Sequence, residues 1–168
     1  GINALLTCLR QIGIGGLALD WLSSFLEARS QEVWVPPFSS VSRPVSVGVQ
    51  QGSALSPTLF NIYLTPLASL AEALGAKIIS YADDTQLLFS WEKEEAFPAG
   101  KIRLCLSAVF SWLSWHQLKC NAGKTELLFF GTEAPESWQN CWPSDAPLPG
   151  QQGHSVKNLG VIFDDPML

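Results

Sequence analysis

Two adjacent carboxylates, Asp83 and Asp84, stand between the apolar and β-branched residues of SYADDTQLLFSW (80–91). Asp is a common turn residue, so the plain reading of the pair is a charged hairpin tip. The chemical reading is that a tight strand–turn–strand offers hard oxygens to Mg²⁺, which takes one or two protein carboxylates and completes its shell with phosphate oxygens and water. A second polar stretch, GVQQGSALSPTLFNIYL (48–64), sets Gly48 and Gly52 around two glutamines ahead of a helical pattern. It reads as a helix start capped by Ser53 or Ser56, or as a loop whose glycines let the backbone and Gln51 approach a flat ligand such as a base pair. A third, NAGKTELL (121–128), contains the Gly-Lys-Thr of a phosphate-binding loop. The full pattern needs a glycine at position 118, which is Leu118, and a helix after the threonine, where TELLFF reads as a strand. The phosphate-loop reading fails on both counts.

Composition bounds what these groups can belong to. The chain has 168 residues, enough for one domain with a core, and 47% hydrophobic content, which excludes disorder. No apolar run approaches the roughly 20 residues that span a bilayer. The first residues, GINALLTCLRQIG, carry their only charge at Arg10 and show no small-residue cleavage site, unlike a secretory leader. Cys8, Cys105, Cys120 and Cys141 are widely spaced, and with His116 and His154 they match no familiar zinc spacing. Free thiols in a reducing, intracellular setting are expected. The net charge of −5 argues against a self-sufficient nucleic-acid binder, which would show a basic surface.

The elements that must position these groups follow from periodicity. Leu5, Leu6 and Leu9 have helical spacing, and GIGG (13–16) ends that helix. Leu17, Trp21, Leu22, Phe25 and Leu26 form one stripe of a second helix. QEVWV (31–35) reads as a strand stopped by Pro36-Pro37, and SRPVSVGV (42–49) as an edge strand containing Pro44. Pro57 opens a long helix that Pro66 should kink. Two short strands then meet at Asp83-Asp84. A helix over 100–118 turns Ile102, Cys105, Leu106, Val109, Trp112 and Leu113 inward, and TELLFF (125–130) is a strand. Residues 132–153, with four prolines, read as an extended surface loop, and VKNLGVIFD (156–164) as a strand pair. No repeat or linker divides the chain, and the order indicates an α+β domain.

Taken in order, GVxQGSxLSPxLFNIYL, YADDTQLL, LKxNxxKTELLFFG and VKNLGVIFD closely resemble the reverse transcriptases of non-LTR (LINE-type) retrotransposons. The resemblance covers nearly the whole chain, including GIGGLALDWLSSFLEARSQEV, which looks like that family's helical segment between its first two catalytic motifs. It implies a polymerase palm of ferredoxin-like type spanning 1–168 and ending at a primer-grip-like hairpin. It implies RNA-directed DNA synthesis on an RNA template and a DNA primer, with dNTPs and Mg²⁺. Asp83 and Asp84 match the catalytic, metal-binding carboxylates of the family's YADD hairpin. Gln51, Gly52 and Ser53 match the loop set against the incoming nucleotide and template. Lys124 matches a lysine that serves as acid or charge partner for pyrophosphate.

Two departures temper what the resemblance implies. Gln50 stands where the family usually has proline. The family's first catalytic motif, a strand ending in AFD, has no counterpart, and Asp20 lies in the helical stripe and cannot replace it. The expectation is therefore a palm fragment without its first catalytic strand, its fingers or its thumb, inactive alone. The absent fingers also account for the missing basic surface. The alternatives are a catalytically inactive remnant or a domesticated nucleic-acid- or protein-binding module. Without a neighbouring strand, residues 78–82 should present an open edge, and Trp21 and Phe25 should be partly exposed.

Overall fold

The structure, a computed structural model, describes residues 1–92, 94–130, 135–144, 146, 149, 151–153, 155–158 and 161–164. The chain divides into two compact units, one of Gly1–Ser69 with Ile79–Gln86, the other of Leu70–Ile78 with Leu87–Leu168.

The first unit is built on leucine. Helix α1 (Ile2–Gln11) buries Leu5, Leu6, Cys8 and Leu9, and helix α2 (Gly16–Leu26) buries Leu19, Leu22 and Leu26. The i, i+3, i+4, i+7 spacing of these residues places each set on one helix face. Gly13, at φ +91°, closes α1 in the left-handed region, where a side chain would be strained. The Ile14 amide then returns to the Leu9 carbonyl at 3.0 Å. Leu59, from the start of helix α3 (Ser56–Ala73), completes the cluster. Trp21 is 56% exposed and stacks on half-buried Phe25 with ring centroids 5.7 Å apart, as the sequence predicts.

Between α2 and α3 the chain makes a two-stranded ribbon. Strand β1 (Arg29–Gln31) pairs antiparallel with β4 (Arg43–Val45), and inside them β2 (Trp34–Val35) pairs antiparallel with β3 (Phe38–Ser39). The single strand expected over 31–35 is thus broken at Glu32 and Val33, and β3 was not expected at all. The reversal at Pro36-Pro37 folds the chain back on itself, so the residues after the prolines become a partner strand instead of a loop. Helix α3 runs on through Pro66 without interruption.

Strands β5 (Lys77–Tyr81) and β6 (Asp84–Leu88) form the hairpin that carries the carboxylates. The α+β mixture is as expected, but a continuous ferredoxin-like palm sheet is not formed among the described residues, whose strands pair only two by two. The physical reason is local: such a sheet needs a further strand on β5 or β6, and no described strand pairs with their outer edges. Ile79 and Tyr81 on β5 are 55% and 68% exposed.

In the second unit, helix α4 (Ala99–Trp115) buries Ile102, Cys105, Leu106 and Val109. Trp112 and Leu113, expected to face inward, are only half-buried, and the helix stops three residues short of the expected end. Gln117 takes φ +59° there, and the Leu118 amide returns to the Leu113 carbonyl at 2.8 Å, a left-handed C-terminal cap. The stretch 132–153 departs from the extended surface loop expected of it. A 3₁₀ turn, Trp138–Cys141, delivers Cys141 and Trp142 into the core, and strand β8 (Gln151–Gly153) runs parallel to β7 (Glu126–Leu128). Trp142 meets Phe110 edge-on at 5.6 Å. The prolines disguised an apolar anchor whose burial outweighs the loop character of its neighbours. Strands β9 (Ser155–Asn158) and β10 (Val161–Asp164) form the expected final antiparallel pair.

All four cysteines are free thiols. Burial pushes the thiols of Cys8, Cys105 and Cys141 above their ordinary value of 9.0, since the interior disfavours the thiolate. Among the described residues no helix is long and apolar enough to cross a membrane.

Candidate active site

The β5–β6 connection is as short as a hairpin allows. Two residues, Ala82 and Asp83, join Tyr81 to Asp84. Two-residue hairpins need a left-handed backbone at the first turn position, and here it falls on Ala82, at φ +53°. Alanine there costs on the order of 1 kcal/mol, because Cβ crowds the following carbonyl. The strain sits next to the carboxylates, where it fixes the direction in which the chain turns. Both Asp83 and Asp84 are exposed. Below them the Ser80 and Thr85 hydroxyls lie 3.4 Å apart across the strands. The hairpin therefore presents two carboxylates at a strained, solvent-facing tip.

The loop before α3 is held from beneath. Ser56, buried at 7%, donates its hydroxyl to the Gln50 carbonyl, which also accepts the Ser53 amide at 3.4 Å. The Ser53 hydroxyl accepts the Leu55 amide at 3.3 Å, a local turn that starts the helix. These bonds differ from the expected cap: Ser53 accepts an amide that precedes the helix, and Ser56, its first residue, donates instead of accepting. Gln51 and Gly52 stay exposed above this framework. Gly52 takes φ +81°, and a Cβ built there meets nothing within 4 Å, so glycine is required by backbone conformation and not by crowding.

Arg29, which no sequence pattern singled out, ties this loop to the scaffold. Its Nε donates to the Leu26 carbonyl and its Nη2 to the Gly48 carbonyl, both at 2.8 Å. One guanidinium thus caps the end of α2 and pins the first glycine of the loop. The only hint available from sequence was its place just after the last apolar residue of α2, where cations satisfy helix carbonyls.

Of the sequence-derived site residues, Asp83, Asp84, Gln51, Gly52 and Ser53 all fall in the first unit. Lys124 falls in the second, at the end of the short 3₁₀ turn Ala122–Lys124, where its amide donates to the Asn121 carbonyl at 3.0 Å. Its side chain is exposed. The strand β7 that follows it confirms that no helix-borne phosphate loop exists here.

The family model described as reverse transcriptase (RNA-dependent DNA polymerase) matches residues 2–163, and the chain belongs to that family. Its similarity extends to proteins of LINE-type mobile elements. It is 33% identical to the RNA-directed DNA polymerase from mobile element jockey of Drosophila melanogaster, over 65% of this chain and 12% of that one. It is 32% identical to the probable RNA-directed DNA polymerase from transposon BS of the same species, over 86% of this chain and 15% of that one. The jockey polymerase of Drosophila funebris is 30% identical over 85% of the chain and 16% of its own length. The chain thus spans 12% to 16% of the length of these relatives. No solved structure matches it significantly.

Proposed function

We propose that this chain is the palm portion of an RNA-directed DNA polymerase that extends a DNA primer on an RNA template by nucleotidyl transfer from dNTPs. The observation that carries the reading is the pair Asp83-Asp84 at the strained β5–β6 turn, in a chain that belongs to the reverse transcriptase family over 2–163.

Enzymes of this family use divalent metal, and Mg²⁺ is the ion the donor set favours: Asp83 and Asp84 offer exposed hard oxygens. Among the described residues no group of three His, Cys, Asp or Glu side chains could hold a metal; Asp83 and Asp84 would supply part of a shell that substrate phosphates and water could complete. When bound, the metal lowers the pKa of the primer hydroxyl and offsets charge on the departing pyrophosphate. The chain's own residues do the rest. Asp83 anchors, with Asp84 beside it in a lesser role. The Gln51–Ser53 loop lies flat against the incoming nucleotide and template, its backbone bared by Gly52. Lys124, on the other unit, is the residue that the family resemblance matches to a positive partner for pyrophosphate.

The test is primer extension on an RNA template by a polypeptide in which this chain follows a strand bearing a carboxylate. Extension that requires both that carboxylate and Asp83 supports the reading. Extension unaffected by Asp83→Asn defeats it. The isolated chain should bind Mg²⁺ only in the millimolar range, about −4 kcal/mol, and micromolar binding abolished in Asp83→Ala would mean that another group in this chain completes the site.

A further inference from the structure

The ribbon between α2 and α3 has no core. Every residue from 30 to 44 is exposed, including Trp34 at 69% and Phe38 at 75%. A two-stranded hairpin without a buried face is marginal in water, and a chain this rich in exposed large side chains is built to meet something. Its residues 33–42, VWVPPFSSVS, carry no charge, so a polyanion is not repelled.

The two faces of the arm differ. In the β2–β3 register Trp34 is opposite Ser39, and Val35 is opposite Phe38. Side chains alternate across a strand, so one face sets an indole beside a hydroxyl, and the other is wholly apolar. An indole next to a hydroxyl suits a nucleotide, whose base stacks while its phosphate can draw the Ser39 hydroxyl from its long 3.4 Å bond to the Ser40 carbonyl. The arm also shares its anchor with the proposed template loop. Arg29, the first residue of β1, holds the Gly48 carbonyl at 2.8 Å, so the base of the arm and the start of the Gln51–Ser53 loop are fixed to one guanidinium. Arg43, exposed on β4, adds a cation near the same base.

We infer that the Trp34 face of this arm is a stacking platform for single-stranded nucleic acid, contiguous with the loop that receives the template. This rests on the nucleic-acid reading above, but not on catalysis. The indole takes one unpaired base irrespective of its identity, Ser39 and Arg43 contact the backbone, and the Val35–Phe38 face contributes little.

The experiment is fluorescence anisotropy of the full chain with a labelled oligouridylate and, separately, the matching oligothymidylate. Trp34→Leu, which keeps the surface apolar but removes the ring, should weaken binding about tenfold. Trp34→Phe should restore most of it, and Phe38→Leu should change it less than about threefold. A loss confined to RNA assigns the template strand, one confined to DNA assigns the primer or product, and either supports the platform. Binding unchanged in Trp34→Leu, or equally reduced in Phe38→Leu, overturns it. So does sedimentation showing that Trp34→Leu splits a dimer while oligonucleotide affinity stays the same, which would make the face a contact between copies. Asp83→Asn should leave this affinity untouched, so loss of primer extension and loss of the platform are separate failures.

Discussion

The first unit contains two kinds of surface that hardly overlap. In its core cluster every buried member is a leucine, from Leu9 at 0% exposure to Leu22 at 9%, and none carries a polar group. The parts proposed to carry the chemistry, the Asp83-Asp84 tip, the Gln51-Gly52 loop and the Trp34 arm, lie wholly on the exposed side. The helices are self-sufficient because they bury their stripes against one another. The arm and the hairpin are held by backbone pairing and by a few hydrogen bonds that reach down to the scaffold. What distinguishes them is where the next contact comes from: the leucines find it inside the unit, the site in whatever binds. The strain at Ala82 and the left-handed Gly52 belong to the second category, since each fixes a direction without adding burial.

That division should be visible in mutant stabilities. Leu9→Ala should cost about 2–5 kcal/mol, because a fully buried leucine leaves a cavity; chemical denaturation measures it, and a cost below about 1 kcal/mol would mean that the helix pair is loosely packed. Ser56→Ala should cost about 1–3 kcal/mol by removing the buried hydroxyl from the Gln50 carbonyl, and hydrogen exchange in residues 50–56 should accelerate first. Ala82→Gly should run the other way, stabilising the hairpin by about 0.5–1 kcal/mol as the left-handed turn is relieved. An unchanged melt would show that the turn is not strained. The smallest effect is in pH. Cys8, Cys105 and Cys141 hold raised folded-state values, so the native chain keeps protons that the unfolded chain releases above 9.0. Stability should be flat with respect to these thiols below pH 9.0 and decline as pH rises above it through their folded-state values, a decline removed by Cys→Ser replacement.

Much of this was legible in the chain. The leucine stripe of α1, the Asp83-Asp84 hairpin and the final pair β9–β10 follow local rules of period and turn, whereas the stripe read for α2 was off by part of a turn: Leu19 is buried with Leu22 and Leu26, and Leu17 is 88% exposed. The misses share another origin. Strand β3 depends on a reversal at Pro36-Pro37 that brings Phe38 opposite Val35, a pairing no local pattern announces. Cys141 and Trp142 were hidden among prolines, and only the tertiary position of Phe110 and Ile102 reveals that they are core. The ferredoxin-like type implied by the resemblance is a different matter: it carries an arrangement of strands, but each strand needs a partner, and the described residues supply β5 with β6 alone, which leaves the edge expected at 78–82. Arg29 was missed because one of its two acceptors, the Leu26 carbonyl, lies 3 residues before it and the other, the Gly48 carbonyl, 19 residues after it, a bridge no local pattern announces.

The central claim is that the exposed hairpin tip, not the buried scaffold, carries the chemistry, and that Asp83 is its principal group. The direct measurement is single-nucleotide extension of a DNA primer on an RNA template in Mg²⁺, by the chain preceded by a carboxylate-bearing strand, comparing wild type with Asp83→Asn. The substitution removes one charge from an exposed turn and should leave the melting temperature within about 2–4 °C. The account predicts a fall in extension rate of about a hundredfold or more. Extension by Asp83→Asn at the wild-type rate would contradict it.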